Sequence, residues 1–343
     1  SVFIPAGDIC CIENPDTASY VVVSSYNLDN GKAFTDTMAV LGAGTNIYCS
    51  QDNLYVASES YNYFSGETFI ETYETRIMKF TLNEGNIEFV TDTKVKGYTN
   101  NQYSFDEKEG YLRVATTYTD NNGNAANALF VLDENLKKVG SVTGFAKNEF
   151  IEAVKFIGDM AYVITFEQTD PLFVIDLSDP TKPEIKGEVE ITGFSTMLHP
   201  VDENTLLGIG YASSSLPDGG WVDGIKLALF DISDPEKPAV LDSEVIKDCF
   251  SEAQYNPKAF LVNNDAGYYA LPFDNSLYGK DGAITFEVND NQIEITNEYT
   301  FENNDPYCNP YTALRCTYID EYFYLIGTDW VEDFAIQAFE YSE

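Results

Sequence analysis

The stretch AVKFIGDMAYVITFEQTDPLFVIDLSDP, residues 153–180, decides the fold. It opens with two apolar runs joined at Gly158-Asp159, the chemistry of a tight hairpin turn. A third apolar run, Leu172–Ile175, stops at Asp176-Leu-Ser-Asp-Pro180. Asp there bonds nearby backbone N–H groups, and Pro ends the strand. Both halves of the phrase recur. The ending returns at Tyr26-Asn27, Phe80-Thr81, Leu132-Asp133, Phe230-Asp231, Phe286-Glu287 and Phe339-Glu340, at intervals of 43 to 56 residues. The hairpin returns as NIYCSQDNLYVAS, YSFDEKEGYLRVATT, MLHPVDENTLLGIG and LRCTYIDEYFYLIG. A looser version is EAQYNPKAFLVNNDAGYYALPF. Helical periodicity is nearly absent.

Each period thus holds four short strands, a and b in the hairpin, c and d after it. Four strands in a repeat of roughly 40–55 residues are a β-propeller blade. The fold expected is all-β, one propeller domain over residues 1–343, with four-stranded blades. Six a–b hairpins and seven c strands are visible. The first unit lacks its own a–b pair and the last stops after c. Seven blade positions are represented, the outer two incomplete, in a native ring of six to eight blades. The chain opens at Ser1, which reads as a processed form or one lacking upstream sequence. The pairs Asp106-Glu107, Asp202-Glu203 and Asp320-Glu321 are placed in a–b turns.

With 343 residues, 44% of them hydrophobic and 14% aromatic, the chain can build a large core. Lys+Arg is 19 against Asp+Glu 56, a net charge of −37. That field repels phosphate backbones and anionic lipid, which argues against nucleic-acid partners and peripheral membrane docking. No apolar run approaches the roughly 18 residues of a membrane span, so no membrane insertion is expected. The six cysteines show no CxxC spacing. Cys308–Cys316 is the easiest local pair, and free buried thiols fit equally well. His199 is the one histidine, so zinc or triad chemistry has little to work with.

Several phrases carry a resemblance. They are Gln102-Tyr-Ser-Phe-Asp-Glu107 with Gly110-Tyr-Leu-Arg-Val-Ala-Thr-Thr117, and Asp170-Pro-Leu-Phe-Val-Ile-Asp-Leu-Ser-Asp-Pro180. Gly193-Phe-Ser-Thr-Met-Leu-His-Pro200 and Leu206-Leu-Gly-Ile-Gly210 complete the set. Over most of its length the chain resembles the secreted bacterial and archaeal proteins described as having a C-terminal β-propeller domain. The resemblance implies a secreted or cell-surface protein and further strands upstream. It supplies no catalytic residues.

In a propeller the d–a and b–c loops emerge on one face, where ligands usually bind. The b–c connections hold the unusual residues. The stretch 61–73 carries Tyr61, Tyr63, Phe64, Phe69 and Tyr73; Ser213–Gly224 carries Trp221; Thr328–Asp333 carries Trp330. Flat aromatic faces suit sugar rings or peptide side chains. The expected ligand-binding residues are therefore Tyr61, Tyr63, Phe64, Trp221 and Trp330. No organic cofactor is implied. Structural calcium is the one metal the charge favours, and Asp120, Asn122 and Asn124 form an oxygen-rich loop without the downstream Glu of an EF-hand. The expected function is non-enzymatic capture of an extracellular saccharide or protein segment. The alternatives are a carboxylate-dependent polysaccharide hydrolase or lyase, and a rigid scaffold module of a larger surface protein.

Overall fold

A computed structural model describes residues 4–5, 9–15, 17–28, 34–42, 44, 46–65, 69–166, 170–213, 222–275, 280–301, 312–328 and 334–340. Among them the strands form seven sheets, five of four strands in chain order and two of three. The second sheet shows the pattern: Asn46–Cys49, Asn53–Ser65, Phe69–Asn83 and Asn86–Lys96, each antiparallel to its neighbour. The third repeats it with Phe105–Lys108, Tyr111–Thr119, Ala125–Leu132 and Lys138–Phe145. These are propeller blades, at the spacing the sequence phrases set. The seventh sheet holds a, b and c (Thr312–Ile319, Tyr322–Thr328, Phe334–Glu340). The first holds c and d (Tyr20–Tyr26, Phe34–Leu41) and one strand the sequence did not announce. Ile9–Cys11 pairs parallel with Phe34–Leu41, leaving Cys10 half-buried and Cys11 exposed.

The chain divides into two compact units, Ser1–Ala161 with Ile175–Ile185, and Tyr162–Val174 with Lys186–Glu343. In each, the b and c strands of the four-stranded sheets carry buried runs on both faces, whereas those of the two three-stranded sheets alternate. Tyr111–Thr119 is buried at seven of nine positions in a row. Such strands read as continuous apolar runs, because sheets cover them on both sides. The outer d strands alternate instead, as in Asn86–Lys96. Unit 1 has a core of Tyr55, Ile77, Leu112, Val114 and Leu132. Unit 2 has one of Leu207, Leu227, Leu229, Phe273 and Phe286. Burying each such side chain contributes roughly 1.5–3 kcal/mol.

Two devices lock successive sheets. Asp36 on the first d strand accepts a hydrogen bond from the Ile87 N–H at 2.8 Å, and Asp242 on the fifth accepts one from Ile293 at 2.8 Å. Both spans are 51 residues. The other device is a glycine socket. A Cβ on Gly140 meets the Pro180 carbonyl oxygen at 2.2 Å and the Pro183 ring at 2.8 Å. A Cβ on Gly187 meets the Pro235 oxygen at 2.6 Å and the Pro238 ring at 2.8 Å. The Asp-Pro turn of one blade thus sits on a bare stretch of the preceding outer strand.

The Asp-rich turns behave as their chemistry requires. Asp176, Asp179, Asp231 and Asp234 each accept from the N–H two residues on. The Thr181 and Ser233 hydroxyls, and then their backbone N–H groups, hold the Asp179 and Asp231 carboxyls below the usual range. Asp106-Glu107 departs from expectation. The turn lies at Glu109-Gly110, both at positive φ (53° and 81°), and Asp106-Glu107 sit on the strand before it. There Asp106 faces Arg113 across the ladder and pairs with its guanidinium, while Glu107 accepts from Asn53 at 2.7 Å.

Candidate functional site

The site lies in unit 1 and starts at a glycine. The strand Asn86–Lys96 ends at Gly97, whose φ of +96° turns the chain back toward the third sheet. A Cβ there meets the Thr117 carbonyl oxygen at 2.5 Å, so a side chain has no room. The Gly97 N–H donates to the Tyr73 carbonyl at 2.7 Å, and its own carbonyl accepts from the Thr75 hydroxyl at 2.7 Å. Tyr98 then makes a two-bond bridge with Thr117, at 2.9 and 3.0 Å. This fixes the Tyr98 ring edge-on to Tyr73, centroids 5.2 Å apart at 69°.

The other wall hangs on Asn127, fully buried on the strand Ala125–Leu132. Its Nδ2 donates to the carbonyls of Ala146 and Glu149, both at 3.1 Å. Its Oδ1 accepts from the Thr117 hydroxyl at 2.7 Å, which in turn accepts from the Ile151 N–H at 3.0 Å. The start of the strand Phe150–Ile157 is thereby held, with Phe150 and Glu152 on either side of Ile151.

Between these walls is a cavity of about 340 Å³, bounded by Glu59, Tyr73, Tyr98, Tyr118, Thr119 and Phe150. Lys96 seats its ammonium 3.8 Å over the Tyr118 ring. Burial raises the Tyr98 phenol, and the neighbouring Tyr73 and the charges of Glu152 and, more weakly, Glu59 add to it. Burial pushes the Glu152 carboxyl up to about 7. Burial also raises Glu59, offset in part by the Thr99 N–H it accepts. Among the described residues neither carboxylate joins an ion pair. Burial thus favours the neutral form of both carboxyls, each of which acts on the Tyr98 phenol.

A stability signature follows. The native Glu152 holds its proton to about pH 7, whereas the unfolded group releases it near 4.3. Between those values the folded state binds more protons, so stability is present in full below about pH 4 and falls as pH rises to 7. The loss is on the order of 3 kcal/mol. Thermal unfolding at pH 5 and pH 8 should differ by a few degrees less in Glu152→Gln than in the parent.

The residues expected from the sequence fall differently. Tyr61, Tyr63 and Phe64 lie not in a loop but on the strand Asn53–Ser65, opposite Tyr73, Glu71 and Ile70. The b–c ladder simply continues through positions assigned to a loop, and their side chains lie outside the described residues, as do Trp221 and Trp330. Asp120 caps its own turn: its Oδ1 accepts from the N–H groups of Asn122 at 2.7 Å and Asn124 at 3.0 Å, which hold the carboxyl low. Among the described residues no three His, Cys, Asp or Glu side chains gather as a metal site. His199 packs edge-on against Phe260 and Tyr269. Cys10, Cys11, Cys49, Cys249 and Cys316 are free thiols, and Cys308 lies outside the described residues. Burial pushes Cys249 up to about 11 and Cys316 up as well, which keeps both thiols protonated and poor nucleophiles.

Sequence reasoning missed Glu59, Tyr98, Tyr118, Phe150 and Glu152. The available signal was in the d–a connections, where Gly97-Tyr98 and Phe150-Ile-Glu152 stand just before or at the start of an a strand.

A family model described as a beta propeller domain matches residues 1–339. An uncharacterized protein of Archaeoglobus fulgidus is 38% identical over 270 residues, 79% of this chain. Another, of Methanocaldococcus jannaschii, is 36% identical over 252 residues, 73% of this chain. The chain covers 38% and 36% of the length of these two relatives. Among solved structures, the periplasmic gluconolactonase of Pseudomonas aeruginosa superposes with a TM-score of 0.52 at 10% identity, over 92% of this chain and 91% of that one. At that identity the likeness concerns the fold alone.

Proposed function

Because the chain belongs to the beta propeller domain family, whose fold hosts many unrelated functions, we propose a function from its site: this is a secreted or cell-surface binding module that takes a saccharide in the aromatic-walled cavity of unit 1. The observation that carries the reading is the grouping of Tyr73, Tyr98, Tyr118 and Phe150 around about 340 Å³. That volume is at the lower end of small-molecule sites, roughly 300–1,000 Å³. Phenol rings offer flat apolar faces to a pyranose, while Glu59, Thr119 and the Tyr hydroxyls bond its edge. No helix is long and apolar enough to cross a membrane among the described residues.

Titration calorimetry against a panel of oligosaccharides tests it. Tyr98→Ala and Phe150→Ala should each weaken binding at least tenfold. Phe150 is 46% exposed, so its variant should keep the parent melting temperature within about 2 °C. Full affinity in both variants overturns the proposal. Trp221, Trp330, Tyr61, Tyr63 and Phe64 enter the same panel as alanine variants, and a loss there extends the binding surface to the b–c connections. Calcium at Asp120, Asn122 and Asn124 is tested by EDTA, which lowers the melting temperature only if the ion is structural.

One observation favours a second reading, a carboxylate-dependent hydrolase. A carboxyl that burial holds protonated to about pH 7 is what a general acid requires. Release of a chromogenic glycoside, abolished in Glu152→Gln, would establish it.

A further inference from the structure

We infer that the cavity selects a ligand carrying an ammonium group, and that the Lys96 ammonium on the Tyr118 ring marks where that group sits. The inference rests on the binding reading above and names the chemistry of its ligand. Two independent features carry it. The first is the walls: Tyr73, Tyr98, Tyr118 and Phe150 surround the space, and a cation over such faces is attracted by the ring quadrupole. The structure already shows one such contact, Lys96 Nζ at 3.8 Å from the Tyr118 centroid, on the exposed end of a flexible stem. A side chain so placed can swing aside for a competing cation. The second is charge. Glu59 and Glu152 flank Tyr98 without a basic partner among the described residues, and burial disfavours their ionised forms. An arriving ammonium group that contacts them supplies the counter-charge that Lys96, which among the described residues forms no ion pair with either carboxylate, does not. The net charge of −37 concentrates cations at the surface and repels anions. A neutral ligand uses the rings and can hydrogen-bond Glu59 through its edge, but it supplies no counter-charge to either carboxylate.

Two sources offer this chemistry, an amino sugar and a lysine side chain, and matched pairs separate them. The probes are a glucosamine oligomer against its N-acetylated counterpart, and a lysine-bearing peptide against its acetyl-lysine counterpart. Acetylation removes the charge and adds an acetyl group, so a glucose oligomer and a norleucine-bearing peptide, uncharged and no larger than the amines, control for the added bulk. The expected result is at least a tenfold preference for the amine of one pair. The glucosamine arm responding identifies a saccharide, and the lysine arm a protein segment. Equal binding of amine and acetylated forms overturns the ammonium inference and leaves the binding reading intact. No binding by any member, nor by the neutral panel, overturns both. Glu152→Gln, with its fold checked by circular dichroism, should weaken the amine and spare the acetylated form. Lys96→Met, which removes the internal competitor, should tighten the amine several-fold, and an unchanged affinity overturns Tyr118 as the seat.

Discussion

Gly97→Ala should lower the unfolding free energy by about 4 kcal/mol. Two penalties combine. A φ of +96° disfavours any L side chain, which costs roughly 1–2 kcal/mol. The added Cβ also stands 2.5 Å from the Thr117 oxygen and 2.9 Å from its carbon, both backbone atoms that cannot swing away. Either the Tyr98–Thr117 bridge breaks or the third sheet shifts. Gly123→Ala separates the two penalties. Gly123 has a φ of +85°, and a Cβ there would have no neighbour within 4 Å, so only the backbone penalty applies. Denaturant titration should find Gly97→Ala worse than Gly123→Ala by about 2 kcal/mol. Equal values would falsify the steric account. Ligand binding should fail in Gly97→Ala even below its unfolding transition, because Tyr98 no longer faces Tyr73.

Asn127→Ala should cost about 4 kcal/mol and act on the opposite wall. The truncation strands the Ala146 and Glu149 carbonyls and frees the Thr117 hydroxyl that holds Ile151. A buried amide serving several partners cannot be replaced by an apolar group without leaving them unpaired. Thr117→Ser keeps the hydroxyl and should lose under 1 kcal/mol, whereas Thr117→Val should approach the Asn127 variant. Hydrogen exchange at Ile151 reads the same link directly: faster in Asn127→Ala, unchanged in Thr117→Ser.

The blades were legible because their signals are local. An Asp two residues before the N–H it accepts, or a turn between apolar runs, occupies fewer than ten residues, and it recurs. The same reasoning misplaced Asp106-Glu107, because acidic residues favour turns but also pair across ladders with a basic partner such as Arg113. The parallel strand Ile9–Cys11 had no local mark: its partner is Ala39–Leu41, and nothing in three residues names it. The cavity was hidden for a related reason. Glu59, Tyr98, Tyr118 and Glu152 come from separate strands and connections, each with one contributing residue. Among 56 acidic and 24 tyrosine residues, composition offers no way to single them out. The expectation weighted exposed tryptophans in the b–c connections, while the described site is built from tyrosines fixed by backbone bridges.

The glycine sockets bear on the order in which the chain is made. Pro180 seats on Gly140, 40 residues earlier in the chain, and Pro235 on Gly187, 48 residues earlier. Each turn therefore finds its seat already synthesised. At roughly 5–20 residues per second, the ribosome delivers each turn within seconds of its socket. Assembly can advance from the amino end blade by blade, each new sheet covering the outer strand left open by the last. An alanine at either glycine would interrupt that progression at a defined length of nascent chain, exposing a strand edge that invites pairing with a neighbouring polypeptide.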